Sequence, residues 1–479
     1  MADIRGWTGI SLTALGAALL VGTTAASAAE LCVNPKGSKG CYSTIDDAIS
    51  HANSGDTVRV EQGTYREHVI INKPLSLIGF NAANTIIDAS GPGNGIGIYV
   101  DGMDNLSAAD IASEQLTGLS DVVVQGFMVT NGGFEGILVT NASNVTIIDN
   151  HVTGNNTQLI KPVTDKSCPF IPAWETSEGF DCGEGIHLDA VHHSTVANNK
   201  VDHNAGGILM TDETGPNHDN LITGNGVTEN GYDCGITLAS HKRAPGYGAT
   251  PLTAFGVFRN TVAFNEASKN GLAVSGNGTG IGIFTSPAGP PASAGGPPVV
   301  KTAAYDNVVV GNRVTGNGQP GVAMHAHKKG ATLTGNLVTG NYVADNGPDV
   351  SDNTTSGAST GIIIHAGNSG EPLTGNVVTG NVIERQDIDV AISTSAQINV
   401  HLNDLGGGRV GVANLGTGTI NATVNWWGCS RGPTAPGCST VQGNGITFTP
   451  WLTRRPNSEE RGSEEHDHHD SAGRSTSDR

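Results

Sequence analysis

The chain is poor in the residues that build most enzymes of its length. Only 14% of its 479 residues are charged, 5% are aromatic, and five are methionine. So little charge and so few long side chains disfavour a helical domain, whose exposed faces need them. Positive charge is the scarcer sign, with 25 Lys and Arg against 44 Asp and Glu and a formal charge of -19. Nucleic acid and anionic membrane surfaces are therefore excluded as expected partners. Apart from Ile10 to Val21, no apolar run approaches membrane-spanning length, and insertion of the mature chain in a membrane is not expected. The 68 glycines follow no G-X-Y period, which excludes collagen.

Glycine instead marks a repeat. Seven times it opens an alternating apolar segment: GILVT at Gly136, GIHLD at Gly185, GILMT at Gly207, GITLA at Gly235, GIGIF at Gly280, GVAMH at Gly321 and GIIIH at Gly361. Asparagine-punctuated segments follow most of them, such as NVTIIDNHVTGN from Asn144 and NVVVGNRVTGN from Asn307. Units of this kind bury their apolar side chains only against the units above and below. Period-two alternation points Ile137 and Val139, Ile186 and Leu188, Ile208 and Met210, and their counterparts inward. The asparagines of the TGN-type turns, Asn155, Asn225, Asn317, Asn336 and Asn376, are expected to form ladders between turns and to take the left-handed turn geometry themselves.

The ends read differently. Arg5, the apolar run and Ala26-Ser27-Ala28 form a secretory signal peptide over 1–28, the alternative being a short anchor. Export makes disulfides the expectation for seven cysteines, pairing Cys32 with Cys41, Cys168 with Cys182 and Cys429 with Cys438, and leaving Cys234 as a free, buried thiol. STIDDAISHA from Ser43 predicts a short amphipathic helix, with Thr44 and Asp47 as cap residues, within a cap over 32–54. The next segment, to Phe80, reads as three strands separated by QGTY and NKP. NWWGCSRGPTAPGCSTVQG from Asn425, with FTPWL from Phe448, closes the other end. Residues 454–479 read as a disordered polar tail, so 29–453 is expected to be one continuous coil of short strands with its caps.

The sequence GDTVRVEQGTYREHVIINKPLSLIGFNAANTIIDA from Gly55, with the later repeats, resembles right-handed parallel β-helix proteins of the carbohydrate-binding and sugar-hydrolase group, with pectate lyase- and pectin esterase-like opening coils. It is also similar to the β-helix accessory protein of nitrous-oxide reductase maturation. The resemblance implies an all-β fold: a right-handed parallel β-helix, or solenoid, with a short N-terminal capping helix and a disulfide-bearing C-terminal cap. No DFIFG-like esterase segment and no DPH motif of alginate epimerases is present, so no family catalytic residue is carried over.

Candidate residues come from the repeat itself. Counting the glycine as one, positions three, five and seven should point outward, where folding asks only for Thr, Ser, Asn or Lys. They carry His187, Asp189, Glu213, His241, His325, His327 and His365. Long insertions follow Asp212, His241 and Ser286, so the stripe is expected to be the floor of a groove walled by loops. Glu184, His187, Asp189, Asp212, Glu213, His241, Lys242, His325 and His327 are the catalytic candidates, as proton donors and acceptors for a glycan. Arg243, His365 and Trp174 are candidate substrate contacts, Trp174 either stacking on a sugar or packing its loop onto the coil. His192, His193 and His203 fall off the stripe, as structural or surface residues. The expected protein is a monomeric, secreted or periplasmic polysaccharide-active lyase, epimerase or hydrolase, compatible with a divalent cation such as calcium. The alternative is a non-catalytic carbohydrate- or metal-binding β-helix protein, for which His325-Ala326-His327 is the pointer.

Overall fold

The computed structural model describes residues 28–155, 172, 174–175, 183–241, 243–244, 246–247, 255–273, 278–285, 302–350, 357–367 and 369–456. Expectations for the signal peptide up to residue 27, Cys168, Cys182, Lys242, the loop from Ser286 and the tail from residue 457 lie outside the described residues.

Each turn of the chain adds a short strand to each of three long sheets, of fourteen, twelve and eleven strands, and several turns add one to a further four-stranded sheet. Neighbouring strands run parallel. The seven glycine-led segments are successive strands of the twelve-stranded sheet, in register: Ile137 pairs with Ile186, then Ile208, Ile236, Ile281, Val322 and Ile362 follow. Val139, Leu188, Met210, Leu238, Ile283, Met324 and Ile364 form the adjoining row, and both rows are buried in one continuous core.

The repeat glycines themselves have ordinary negative φ. Their role is close approach. A Cβ on Gly207 would lie 2.0 Å from the Gly235 carbonyl oxygen and 2.4 Å from Val227 Cγ1, and one on Gly136 would lie 2.4 Å from Val152. The glycine is a gap into which a valine from the following strand of the eleven-stranded sheet and the next coil's backbone fit.

Asparagine ladders line the corners. In one of them Asn150, Asn199, Asn225, Asn265, Asn312 and Asn341 pass amide hydrogen bonds of 2.9–3.1 Å from coil to coil. Two more run through Asn155, Asn204, Asn230, Asn270 and Asn317, and through Asn260, Asn307, Asn336 and Asn376. The expected left-handed conformation belongs to the preceding residue instead: Gly224 before Asn225 (φ 65°), Gly316 before Asn317 (φ 70°), even Phe264 before Asn265 (φ 55°). Each ladder side chain must turn into the corner, so the bend falls one residue earlier.

The N-terminal helix spans Ile45–His51, with the Thr44 side chain accepting from Asp47 N and with Ile45, Ala48 and Ile49 buried. Side chains of the coil complete its ends. Glu67 accepts from the Ile45 and Asp46 amides at 3.0 Å, and Lys73 donates to the Ile49 and Ala52 carbonyls at 3.1 Å. Between Gly55 and Phe80 there are four strands, because the expected separator QGTY contributes Gly63–Tyr65 to the eleven-stranded sheet. At the other end Trp427 is fully buried, and Thr440–Gln442 and Ile446–Thr447 add last strands to two sheets. Arg455 pairs with Asp404 and Glu384, two residues past Thr453. Cys32–Cys41 and Cys429–Cys438 are disulfides, and Cys234 is a buried free thiol. Among the described residues no helix is long and apolar enough to cross a membrane.

Candidate functional site

The candidate stripe runs along the outer face of the twelve-stranded sheet, where Thr140, Asp189, Thr211, Ala239, Phe284, His325 and His365 occupy one row of paired positions. It is not an open groove floor. Asp189, Glu213 and His187 are 0% exposed, Arg243 reaches only 8%, and His327 alone of the described candidates on the stripe is half-buried. The physical reason is that the insertions fold back across the sheet. Ala244 N donates to the Glu213 carbonyl at 2.8 Å, and the Asn141 amide reaches the carbonyls of Leu116 and Thr214. Trp174 lies on His187, ring centroids 6.2 Å apart, and packs on Ile96, Phe134 and Leu138.

The row divides into two clusters, separated by Ala239 and Phe284. The first gathers Glu184, His187, Asp189, Asp212, Glu213, His241 and Arg243 of the expected set, and adds Glu135, Glu175, Thr211 and Thr214. His187 Nε2 sits 2.9 Å from Thr211 Oγ1, and its Nδ1 lies 3.4 Å from Glu135 Oε1. Asp189 accepts from the Thr214 hydroxyl and, at 3.3 Å, from Thr211 Oγ1. Asp212 accepts from Ser240 Oγ and His241 N, both at 2.8 Å, while His241 Nδ1 lies 2.9 Å from Glu213 Oε1. Glu135 neighbours Glu184, and Glu175 neighbours Glu213. Carboxyl groups placed so close disfavour one another's ionised form.

Burial dominates the electrostatics. It pushes Asp189 up to about 7, against the hydrogen bonds from Thr214, and Asp212 up to about 6. Burial, reinforced by neighbouring carboxylates, holds Glu184 and Glu213 well above the ordinary range. The same desolvation lowers His187 to about 4, leaving its imidazole neutral. The cluster therefore holds proton donors beside a neutral acceptor near neutral pH. Arg243, 5.4 Å above the Phe255 ring, is the cation beside Asp212.

The second cluster is His325, His365 and Asp349, all buried, with His327 half-buried beside them. His325 Nε2 lies 3.7 Å and His365 Nδ1 4.0 Å from Asp349 Oδ2. Burial holds His325 well below the ordinary histidine range, followed by repulsion from His327 and His365.

Of the off-stripe histidines, His192 and His218 are partly buried in a surface stack with Phe258 and Tyr305, at spacings of 4.6–4.9 Å, while His193 and His203 are exposed. Glu135 was open to detection in the sequence, since it precedes a repeat glycine as Glu184 does in the next coil. Glu175 and Asp349 come from irregular segments that carry no periodic signal.

Residues 77–283 match a family described as right handed beta helix region, and residues 256–444 match one described as periplasmic copper-binding protein (NosD). No curated protein gives a significant match. Among solved structures, the Dettilon tailspike protein is 13% identical over 84% of this chain and 64% of its own, with a TM-score of 0.51. The A-module of a mannuronan C-5 epimerase from Azotobacter vinelandii is 14% identical over 86% and 94%, at 0.43. Pectate lyase Pel9A is 12% identical over 90% and 81%, at 0.37. At these identities the likeness concerns the fold. The stacked parallel sheets and the match over residues 77–283 make the chain a right-handed parallel β-helix protein.

Proposed function

We propose that the protein is an exported, glycan-active enzyme whose acid–base chemistry is supplied by the carboxylate–histidine cluster from Glu135 to Arg243. The observation that carries this reading is the burial together of Glu135, Glu184, Asp189, Asp212 and Glu213 on positions that folding does not require to be acidic. Burying one carboxyl group costs free energy that threonine or asparagine would not, and groups displaced toward neutral pH concentrate where acid–base work is done. In this reading Asp189 and Glu184 are proton donors, and the neutral His187 is an acceptor. Arg243 is the cation available to a uronate carboxylate. Glu175 is half-buried, and Arg243, at 8%, is the next most exposed member, so substrate would enter beside these two. The two disulfides support an oxidising compartment.

A panel of polysaccharides tests the reading, with elimination followed by the absorbance of unsaturated uronates and hydrolysis by reducing ends. One polymer is expected to be consumed, and Asp189→Asn and Glu184→Gln to lower kcat about 100-fold or more. Full activity in both variants would remove the cluster from the mechanism. A second reading, a binding protein without catalysis, is favoured by the His325–Asp349–His365 cluster and by the match over residues 256–444.

A further inference from the structure

We infer that His325, Asp349 and His365 form a binding site for one late first-row divalent metal ion, such as zinc, on the outer face of the twelve-stranded sheet. The inference deepens the second reading by giving it a ligand set. It uses none of the carboxylates of the first cluster, so the two stand or fall separately.

Three observations converge. The donor atoms of these residues lie within 4.8 Å of one another, and all three side chains are buried. The separations from Asp349 Oδ2, 3.7 Å to His325 Nε2 and 4.0 Å to His365 Nδ1, are too long for hydrogen bonds. They are close to what a shared ion needs, since donors about 2.0–2.2 Å from a tetrahedral centre stand roughly 3.4 Å apart. The third observation concerns His325. Its ring is 1% exposed, and neither nitrogen has a hydrogen-bond partner among the described residues. An imidazole taken out of water with both nitrogens unsatisfied is costly, and an ion at Nε2 would relieve one of them.

Topology explains how the site is made. His325 and His365 are paired residues of adjacent parallel strands, so their rings leave the same face one strand spacing apart, with centroids 5.2 Å apart. Asp349 comes from the segment between those strands, where Pro348 bridges to Ser359. Phe284 stands edge-on to His325 at 5.8 Å and closes the site toward the first cluster. His327, whose ring centroid is 5.6 Å from that of His325, is the nearest further donor. Two imidazoles and a carboxylate suit zinc, cobalt, nickel or copper, whereas calcium and magnesium require mainly oxygen.

A competing group, His193, His218 and Asp219, is more exposed, and Arg259 holds Asp219 by ion pairing at 2.6 Å. His466, His468 and His469 offer a third place to bind. The test therefore uses full-length protein in which the three tail histidines are replaced by alanine, stripped of metal and titrated with Co²⁺. One Co²⁺ per chain is expected, with visible ligand-field absorption, displaced by Zn²⁺ and not by Ca²⁺. Asp349→Asn, His325→Ala and His365→Ala are each expected to weaken binding at least about tenfold, and His218→Ala to leave it unchanged. Zinc should raise the unfolding temperature of the parent but not that of Asp349→Asn, a near-isosteric change chosen so that a folded variant is compared. Binding below one equivalent in the parent, or equal affinity in the three site variants, would overturn the inference.

Discussion

A buried acid and a buried base act on stability with opposite signs, and the first cluster contains both. The Asp189 carboxyl, ordinarily titrating at 3.8, is pushed up to about 7 by burial, so between those values the folded protein holds a proton that the unfolded chain has released. Stability from this group is complete below the unfolded value and is lost as pH rises through the folded one. His187 runs the other way. Its value falls from 6.5 to about 4, so across that window the unfolded chain binds the extra proton and stability rises with pH. The two slopes largely cancel in the parent, which makes a variant more informative. Asp189→Asn keeps an acceptor for Thr214 and cannot lose a proton, so its stability relative to the parent should grow as pH rises from about 4 to about 7. A displacement of that size is worth about 4 kcal/mol. Urea unfolding of both proteins across this range measures it, and a constant difference would mean that Asp189 is ionised in the folded state.

The repeat glycine shows what an element-level pattern reveals and what it leaves out. Its spacing indicated the strands, their register and the two inward rows, because period-two alternation is a local property of the chain. The reason for the glycine is long-range. The Cβ it lacks would collide with the next coil's carbonyl and with a valine from another sheet. Gly207→Ala should therefore be among the costly small substitutions, since backbone on one side and a packed valine on the other leave nothing free to yield. A loss of about 1–3 kcal/mol or more is expected, against much less for alanine at Gly226, where a Cβ meets nothing within 4 Å. Thermal unfolding of the two variants makes the comparison. Equal stability would mean that the coil opens freely at Gly207. The same reasoning limits the site. The stripe was legible as a row of histidines and carboxylates, but its burial was not, because the covering segments follow no period. Asp349 was invisible for the same reason: it meets His325 and His365 only after the chain has left the repeat.

At the scale of the molecule, a stack of parallel strands is stable only if its open ends are covered. The exposed edge of the twelve-stranded sheet is Val69–Ile71, and the N-terminal helix lies against it, with Asp46 Oδ1 accepting from Ile70 N at 3.4 Å. The helix is seven residues long, too short to persist by itself. It is held by the burial of Ile45 and Ile49 in the core and by Glu67 and Lys73 at its two ends. Replacing both isoleucines by glutamate places two charges in the apolar core, one of them beside Glu67, and the helix should leave the end of the coil. That exposes Val58, Val69 and Ile71 together with unpaired edge amides, which form a template for a second chain. The expected result is self-association. In sedimentation velocity the parent should keep one mass across concentration, while Ile45→Glu/Ile49→Glu should shift to dimers and larger species as concentration rises. The twelve-stranded sheet and its outer clusters should persist in the variant, because each coil contacts only its neighbours. If the variant stayed monomeric and folded, the helix would be an appendage, and protection of the sheet edge would rest on the short strands themselves.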